Sequence, residues 1–113
     1  MKPPGAETPI PALPPPTREY LVRVAETLFP ADQVDGVLAV LDRYQSPSWS
    51  NDGLRVKMAV LVLSEGDFAK LVDFQAEAER DYRNVLYWYE YTKPGVALRF
   101  ALEARLAAAR PRA

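Results

Sequence analysis

Apolar residues recur at helical spacing through most of the chain after its first sixteen positions. A first helix is predicted from a Thr17 cap to about Phe29, because a threonine hydroxyl can accept an N–H of the first turn. Pro30 ends that helix and suits the start of a second one, which reaches about Arg43. The two apolar faces consist of Tyr20, Leu21, Val24, Ala25 and Leu28, and of Val34, Val37, Leu38 and Leu41. Each pattern predicts an amphipathic helix with one buried face.

The segment from Leu54 to Leu63 is apolar on nearly every side and fits two structures. A period of two places alternate apolar residues on one face of a strand, whereas a period of 3.6 gives a helix. No other segment looks like a strand partner, and a lone strand leaves its backbone groups unpaired. We therefore predict a helix over residues 53–64 that is buried except at Arg55 and Lys57.

A tight turn at Gly66 leads into the longest predicted helix, over residues 67–91. Gly66 supplies a left-handed position after one helix, and Asp67 caps the next. So short a connection makes 53–64 and 67–91 an antiparallel pair at the centre of the fold. The predicted core seam of the long helix is Phe68, Leu71, Gln75, Ala78, Tyr82, Val85 and Tyr89, flanked by Val72 and Leu86.

The last part of the chain reads as a basic, alanine-rich helix. It is predicted from Val96 to Arg110, after a break at residues 92–95, with Leu98, Ala101, Leu102 and Leu106 as its apolar stripe. From residue 92 onward there are five cations against one acid, a balance of +4. The predicted fold is all-α, a compact bundle of four to five helices, with a bundle domain over 17–91 and a terminal helix or tail over 92–113.

The first sixteen residues hold seven of the eleven prolines. Proline lacks the N–H that helices and sheets require, so residues 1–16 are predicted to form a flexible or polyproline-like arm. Within the arm, Pro11-Ala12-Leu13-Pro14 matches the loose PxxP pattern that aromatic grooves can recognise.

Composition excludes several classes of chemistry. The chain contains neither cysteine nor histidine, which removes thiolate nucleophiles, the usual zinc ligands and the commonest general base. The few glycines form no phosphate-binding or dinucleotide-binding loop. We therefore expect no metal, no cofactor and no catalytic residues.

A net charge of −1 argues against nucleic acid as a partner. The apolar runs are too short to span a membrane, so we predict no membrane span and a cytoplasmic location.

A run of aromatic residues closes the long helix. Consecutive helical residues point about 100° apart, so the rings of residues 87–91 cannot all face one core. Some rings therefore pack under the terminal helix or are exposed as interface anchors. Tyr87, Trp88 and Tyr91 are the candidate interface residues.

A second candidate site is a polar pocket between the 44–51 loop and the middle of the long helix. Trp49, Asp81, Tyr82 and Arg83 would line it and bind a polar ligand. The alternative is a structural network in which Asp81 or Glu77 pairs with Arg55 across the antiparallel helices.

Two stretches carry a family resemblance, residues 55–67 (RVKMAVLVLSEGD) and 78–86 (AERDYRNVL). They resemble a group of small uncharacterised bacterial proteins with the pattern R-V-x-x-A-x-L-x-L-S-x-G-D, followed by D-Y-R-x-V-L and E-Y. The resemblance covers roughly residues 20 to 91. It implies an all-helical fold and no assigned activity.

These observations favour a non-enzymatic protein–protein interaction module that binds a protein partner or self-associates. The alternatives are a small-molecule binder or enzyme that uses the polar pocket, and an anion or nucleic-acid contact through the terminal helix.

Overall fold

Five helices account for most of the chain in the computed structural model, which describes residues 16–46 and 52–108. They are α1 (Arg18–Leu28), α2 (Val34–Asp42), α3 (Gly53–Leu63), α4 (Phe68–Glu90) and α5 (Lys93–Ala108), with a 3-10 turn at Ala31–Gln33 before α2. No strand occurs within the described ranges. The prediction of an all-α bundle of four to five helices is confirmed.

α3 lies at the centre of the bundle. It contacts each of the other four helices, and every residue from Met58 to Leu63 is buried. Arg55 and Lys57 are partly exposed, as predicted. The nearly all-round apolar pattern of this segment thus reflects a helix surrounded by helices, and the strand alternative is wrong.

The turn between α3 and α4 forms as the sequence predicts. Gly66 has a φ of 82°, in the left-handed region, and an added Cβ there would lie 2.6 Å from the Leu28 carbonyl oxygen. The Asp67 carboxylate accepts backbone N–H groups of Ala69 at 2.9 Å and Lys70 at 3.2 Å. This N-cap fixes the start of α4. The short connection makes α4 an antiparallel neighbour of α3.

The predicted seam of α4 is mostly buried, with exceptions near its start and at Tyr82, which is only partly buried. Leu71, Gln75, Ala78, Val85 and Tyr89 are buried, but Phe68 and Val72 are exposed. Phe68 lies beside Gly36 of α2, where an added Cβ would come 3.9 Å from the Phe68 ring. Gly36 has no side chain that could cover the Phe68 ring, so the ring is exposed.

α4 is interrupted at Asp81, a feature that the sequence analysis did not predict. Asp81 has extended backbone angles (φ −157°, ψ 94°), and its carboxylate accepts the Arg83 backbone N–H at 3.2 Å. It therefore acts as an N-cap for a second helical segment, 82–90. The rings of Phe74 and Trp88 would be ~21 Å apart along a straight helix, yet their centroids are 6.0 Å apart. The break therefore folds 68–80 and 82–90 toward each other.

α5 begins earlier than predicted and packs onto the bundle. Its first residue is Lys93, and the Thr92 hydroxyl accepts the Gly95 N–H at 3.1 Å as an N-cap. α5 contacts α1, α3 and α4, and it buries Leu102 and Leu106, whereas Ala101 of the predicted stripe is exposed. The terminal helix thus contributes to the same core as the other four helices.

Asp42 links the start of α1, the end of α2 and the first half of α3. Its carboxylate accepts two hydrogen bonds from the Arg18 guanidinium, at 2.7 and 2.8 Å, and one from Lys57 at 3.2 Å. The hydrogen bond with Arg18 is the main reason that the pKa of Asp42 is lowered. This cluster ties together three helices, whereas residues 1–15 of the predicted proline-rich arm lie outside the described residues.

Candidate functional site

Three aromatic side chains lie exposed on one face of the last turns of α4. The exposed fractions are 57% for Tyr87, 37% for Trp88 and 64% for Tyr91, and we call these three residues the aromatic patch. Their neighbours Val85, Leu86 and Tyr89 are buried on the opposite face. The 100° step of the helix explains the division, because positions 87, 88 and 91 share an arc of about 100°.

Two ring contacts hold the aromatic patch. The Tyr87 and Tyr91 rings stack at a centroid distance of 6.1 Å and an angle of 24°. Trp88 meets Phe74 edge to face, at 6.0 Å and 70°. Because Phe74 belongs to the segment before the break at Asp81, that break supplies lateral support for Trp88. Sequence reasoning missed Phe74, since a continuous helix would keep the two rings far apart.

A partly buried ion pair anchors the helix turn that carries the aromatic patch. Both oxygens of Glu90 accept hydrogen bonds from the Arg55 guanidinium, at 2.6 and 2.5 Å, and Asp52 lies 3.3 Å from the same group. Glu90 is 5% exposed. Its hydrogen bonds raise the pKa of Arg55 above the usual arginine range. The last turn of α4 is therefore tied to the first turn of α3.

The predicted pairing of Arg55 with Asp81 or Glu77 is wrong. Asp81 instead pairs with Arg83 at 3.1 Å, and Glu77 pairs with Arg80 and with Asn84. The break at Asp81 explains the difference. α3 has 11 residues and α4 has 23, so Arg55 would face the middle of a continuous α4, but the break folds 82–90 back and brings Glu90 to Arg55. The hydrogen bond from Arg83 lowers the pKa of Asp81.

Tyr89, between the patch residues, faces the bundle. Its ring is 5% exposed and lies under the Arg99 guanidinium, whose carbon is 5.5 Å from the ring centroid. Burial raises the pKa of the Tyr89 phenol, and the Arg99 charge offsets part of that rise. One aromatic residue of the run therefore packs under α5, while the three patch residues do not.

The polar groups of the aromatic patch are left without partners inside the described parts of the chain. Neither the Trp88 indole N–H nor the hydroxyl groups of Tyr87 and Tyr91 have a hydrogen-bond partner there. Each is a donor beside an apolar ring. The patch therefore offers both ring surface and unpaired donors to a binding partner.

The second candidate site is an open cleft between α2 and the break in α4. Its volume is about 530 Å³, and its walls are formed by residues 43–45 and 78–83. Asp81, Tyr82 and Arg83 lie on this wall, whereas Trp49 is outside the described residues. Arg43 from the opposite wall adds a further cation.

Two further properties bear on the sequence predictions. Within residues 16–46 and 52–108, no three acidic side chains come close enough together to hold a metal ion. None of the helices in these ranges is long and apolar enough to cross a membrane.

Comparison with protein-family models, curated proteins and solved structures finds no match to this chain.

Proposed function

We propose that this protein is a non-enzymatic interaction module that self-associates through the aromatic patch. One observation carries the proposal: Tyr87, Trp88 and Tyr91 expose their rings together, while residues 85, 86 and 89 beside them are buried. Tyrosine and tryptophan are enriched among the residues that dominate binding energy at interfaces. They provide a large contact area at a low cost in side-chain entropy.

The surroundings of the aromatic patch support this role. Glu90, the acidic residue in the same turn, is turned inward and neutralised by Arg55. One turn earlier, the uncharged Asn84 lies in line with the patch, and the exposed Arg83, which pairs with Asp81, lies at its edge. The centre of an interface is typically depleted in charged residues. Contacts with Phe74 and between the two tyrosines also hold the rings before a partner arrives.

The double substitution Tyr87→Ala/Tyr91→Ala is expected to weaken self-association at least about tenfold, because it removes the two most exposed rings of the patch. Sedimentation velocity over a concentration series measures the dissociation constant. Phe100→Ala is the matched control, since Phe100 is 67% exposed but lies on α5.

The control is expected to self-associate like the wild type, and both variants should keep the wild-type helical circular-dichroism spectrum. An unchanged dissociation constant in the double variant would contradict the proposal. So would equal weakening by Phe100→Ala.

Binding of a small anionic molecule or metabolite in the cleft is a second candidate function. Its volume of about 530 Å³ lies within the usual range for ligand sites. Its walls carry three arginines, Arg43, Arg80 and Arg83, against the two acids Glu79 and Asp81, of which Asp81 pairs with Arg83. A thermal-shift screen of phosphorylated and carboxylated metabolites should then find a ligand that raises the midpoint in the wild type and not in Arg43→Ala. If none of the compounds stabilises the wild type, this candidate fails.

Anion or nucleic-acid contact through α5 receives less support. The Arg105 guanidinium donates to the Thr27 carbonyl at 2.6 Å, and Arg99 lies over the Tyr89 ring. These two cations are therefore already engaged with other groups of the bundle. A cytoplasmic location stays a prediction, and the absence of cysteine from the sequence is compatible with it.

A further inference from the structure

We propose that two copies of this chain exchange the part of the chain that follows Asp81, through a straightening of α4 at that residue. Each 82–108 segment would then dock on the bundle of the other copy, around a twofold axis. The exchanged unit comprises the second segment of α4 and all of α5. This inference goes beyond the proposed function, because the exchange does not use the exposed rings of Tyr87 and Tyr91.

The break in α4 is confined to a single residue in a sequence that favours a helix. Asp81 is the one position of α4 with non-helical backbone angles. Sharp kinks usually occur at proline or glycine, yet residues 67–93 contain neither. Glu79, Arg80 and Arg83 beside the break are all good helix formers. The break therefore depends on the Asp81 cap and on contacts that 82–108 makes elsewhere in the fold.

The apolar seam of α4 has the spacing of one uninterrupted helix. Its positions alternate in steps of three and four across the break: Leu71, Gln75, Ala78, Tyr82, Val85 and Tyr89. A broken helix has no need of this phase, because an extended residue changes the rotation between the two segments. On a straight α4 the same positions form one stripe. The half of the stripe after Asp81 would then face away from its own bundle, on the side that a second bundle can cover.

The contacts that hold the second segment of α4 in place use groups that every copy carries. Within one chain, Glu90 accepts hydrogen bonds from Arg55 at 2.6 and 2.5 Å, and the Trp88 ring lies 6.0 Å from that of Phe74. A straight α4 would place Trp88 and Phe74 ~21 Å apart along the helix axis and would separate both pairs. Arg55 and Phe74 of the other copy restore the same two contacts.

A straight α4 requires a second copy, because its apolar side chains would otherwise meet water. Val85, Tyr89, Leu102 and Leu106 are all at most 8% exposed in the bundle. Straightening would uncover them, at the usual cost of exposing apolar area. The surface that fits them lies on α1 and α3, which α5 contacts. Another copy offers that surface only when its own segment has left, so the exchange is reciprocal.

Asp81 sets the balance between the single chain and the exchanged dimer. Its carboxylate accepts the Arg83 backbone N–H at 3.2 Å and the Arg83 Nε–H at 3.1 Å. This cap stabilises the start of 82–90 only while α4 is broken. Asp81→Ala removes the cap and places a strong helix former at the break. We expect this variant to lower the dissociation constant of the exchanged dimer at least about tenfold.

Asp73→Ala is the matched control for Asp81→Ala. Asp73 is also an exposed aspartate of α4, but it lies within the first helical segment, away from the break. It is expected to leave the dissociation constant unchanged. Both variants and the wild type are refolded at high protein concentration, diluted, and followed by sedimentation velocity. Exchanged dimers should persist for hours after dilution, because their separation requires 82–108 to leave a core.

A charge exchange tests whether the segment crosses between copies. Arg55→Glu and Glu90→Arg each bring like charges together, so each variant alone should have a lower thermal midpoint than the wild type. In an exchanged dimer with one copy of each, the new glutamate faces the new arginine, and the natural Arg55 faces the natural Glu90. The equimolar mixture, refolded together from urea, should therefore regain the wild-type midpoint at a mass of twice 12.7 kDa. Each variant refolded with the wild type is the control, since one site then keeps like charges.

The outcomes separate the exchange from association through the aromatic patch. A mixture that keeps the two lowered midpoints overturns the exchange, as do Asp81→Ala dimers that disappear on dilution. Association through the patch leaves each Glu90 with the Arg55 of its own chain, so it cannot rescue the mixture. Tyr87→Ala/Tyr91→Ala should form persistent dimers like the wild type while losing rapid association. If the persistent dimers are lost and the rapid association is kept, the exchange and the proposed function both fail.

Discussion

Gly95→Ala is expected to lower the free energy of unfolding by about 3 kcal/mol, the upper end of the range for overpacking. A Cβ at this position would overlap the Trp88 carbonyl oxygen and come within 2.6 Å of the Tyr89 carbonyl oxygen. These are backbone atoms of α4 and cannot move aside like a side chain. The variant must therefore separate α5 from α4 and loosen the packing of Leu102 and Leu106. Urea denaturation followed by circular dichroism measures the change.

Gly36→Ala is the matched control for that substitution. Gly36 lies inside α2, and an added Cβ would make only an ordinary contact with the Phe68 ring at 3.9 Å. Alanine is favoured over glycine in a helix, so this variant is expected to gain ~0.5–1 kcal/mol. Similar losses in both variants would show that the close approach of α5 to α4 is not as described.

Arg55→Ala is expected to cost about 2–4 kcal/mol of folding stability, because it leaves the Glu90 carboxylate buried without its partner. The value lies below that for a fully buried pair, since the Arg55 side chain is 34% exposed and water can partly replace it. Arg83→Ala is the control. Arg83 also pairs with a carboxylate, but it is 77% exposed, and no measurable loss is expected.

A double-mutant cycle tests which carboxylate Arg55 uses. Arg55→Ala and Glu90→Ala should be strongly non-additive, since each removes the same pair, whereas Arg55→Ala and Asp81→Ala should add. Additivity with Glu90 and coupling with Asp81 would restore the pairing that the sequence suggested. If the proposed function holds, self-association should also weaken in Arg55→Ala, because the last turn of α4 loses its anchor.

Local signals in the sequence were sufficient for the helices and their turns. Thr17, Gly66 and Asp67 act through groups within three residues of themselves, so their roles follow from residue type and position. Predicting that residues 53–64 form a helix required information from the whole chain, because it depended on finding no other segment that could pair with them as a strand. The structure agrees, because α3 is enclosed by the other helices.

The features that were missed depend on how segments are placed in space. The apolar seam of α4 continues in phase through Tyr82 and Val85, which hides the break that Asp81 introduces by capping a new segment. The Arg55–Glu90 pair depends on the same break, because the break folds 82–90 back until Glu90 reaches the first turn of α3. The start of α5 at Lys93 depends on the Thr92 cap, and Pro94 then falls in the first turn, where its missing N–H has no partner to lose.

The candidate site was predicted in part. Helical geometry required some rings of 87–91 to leave the core, and Tyr87, Trp88 and Tyr91 are the exposed ones. Their support by Phe74 could not be predicted, because it requires the break in α4. Their role as an interface stays a prediction.

The molar mass of the wild-type chain in solution, measured by light scattering over a wide range of concentration, tests self-association most directly. The mass is expected to rise from 12.7 kDa toward twice that value as concentration increases. A constant mass of 12.7 kDa up to millimolar concentration would contradict the proposed function.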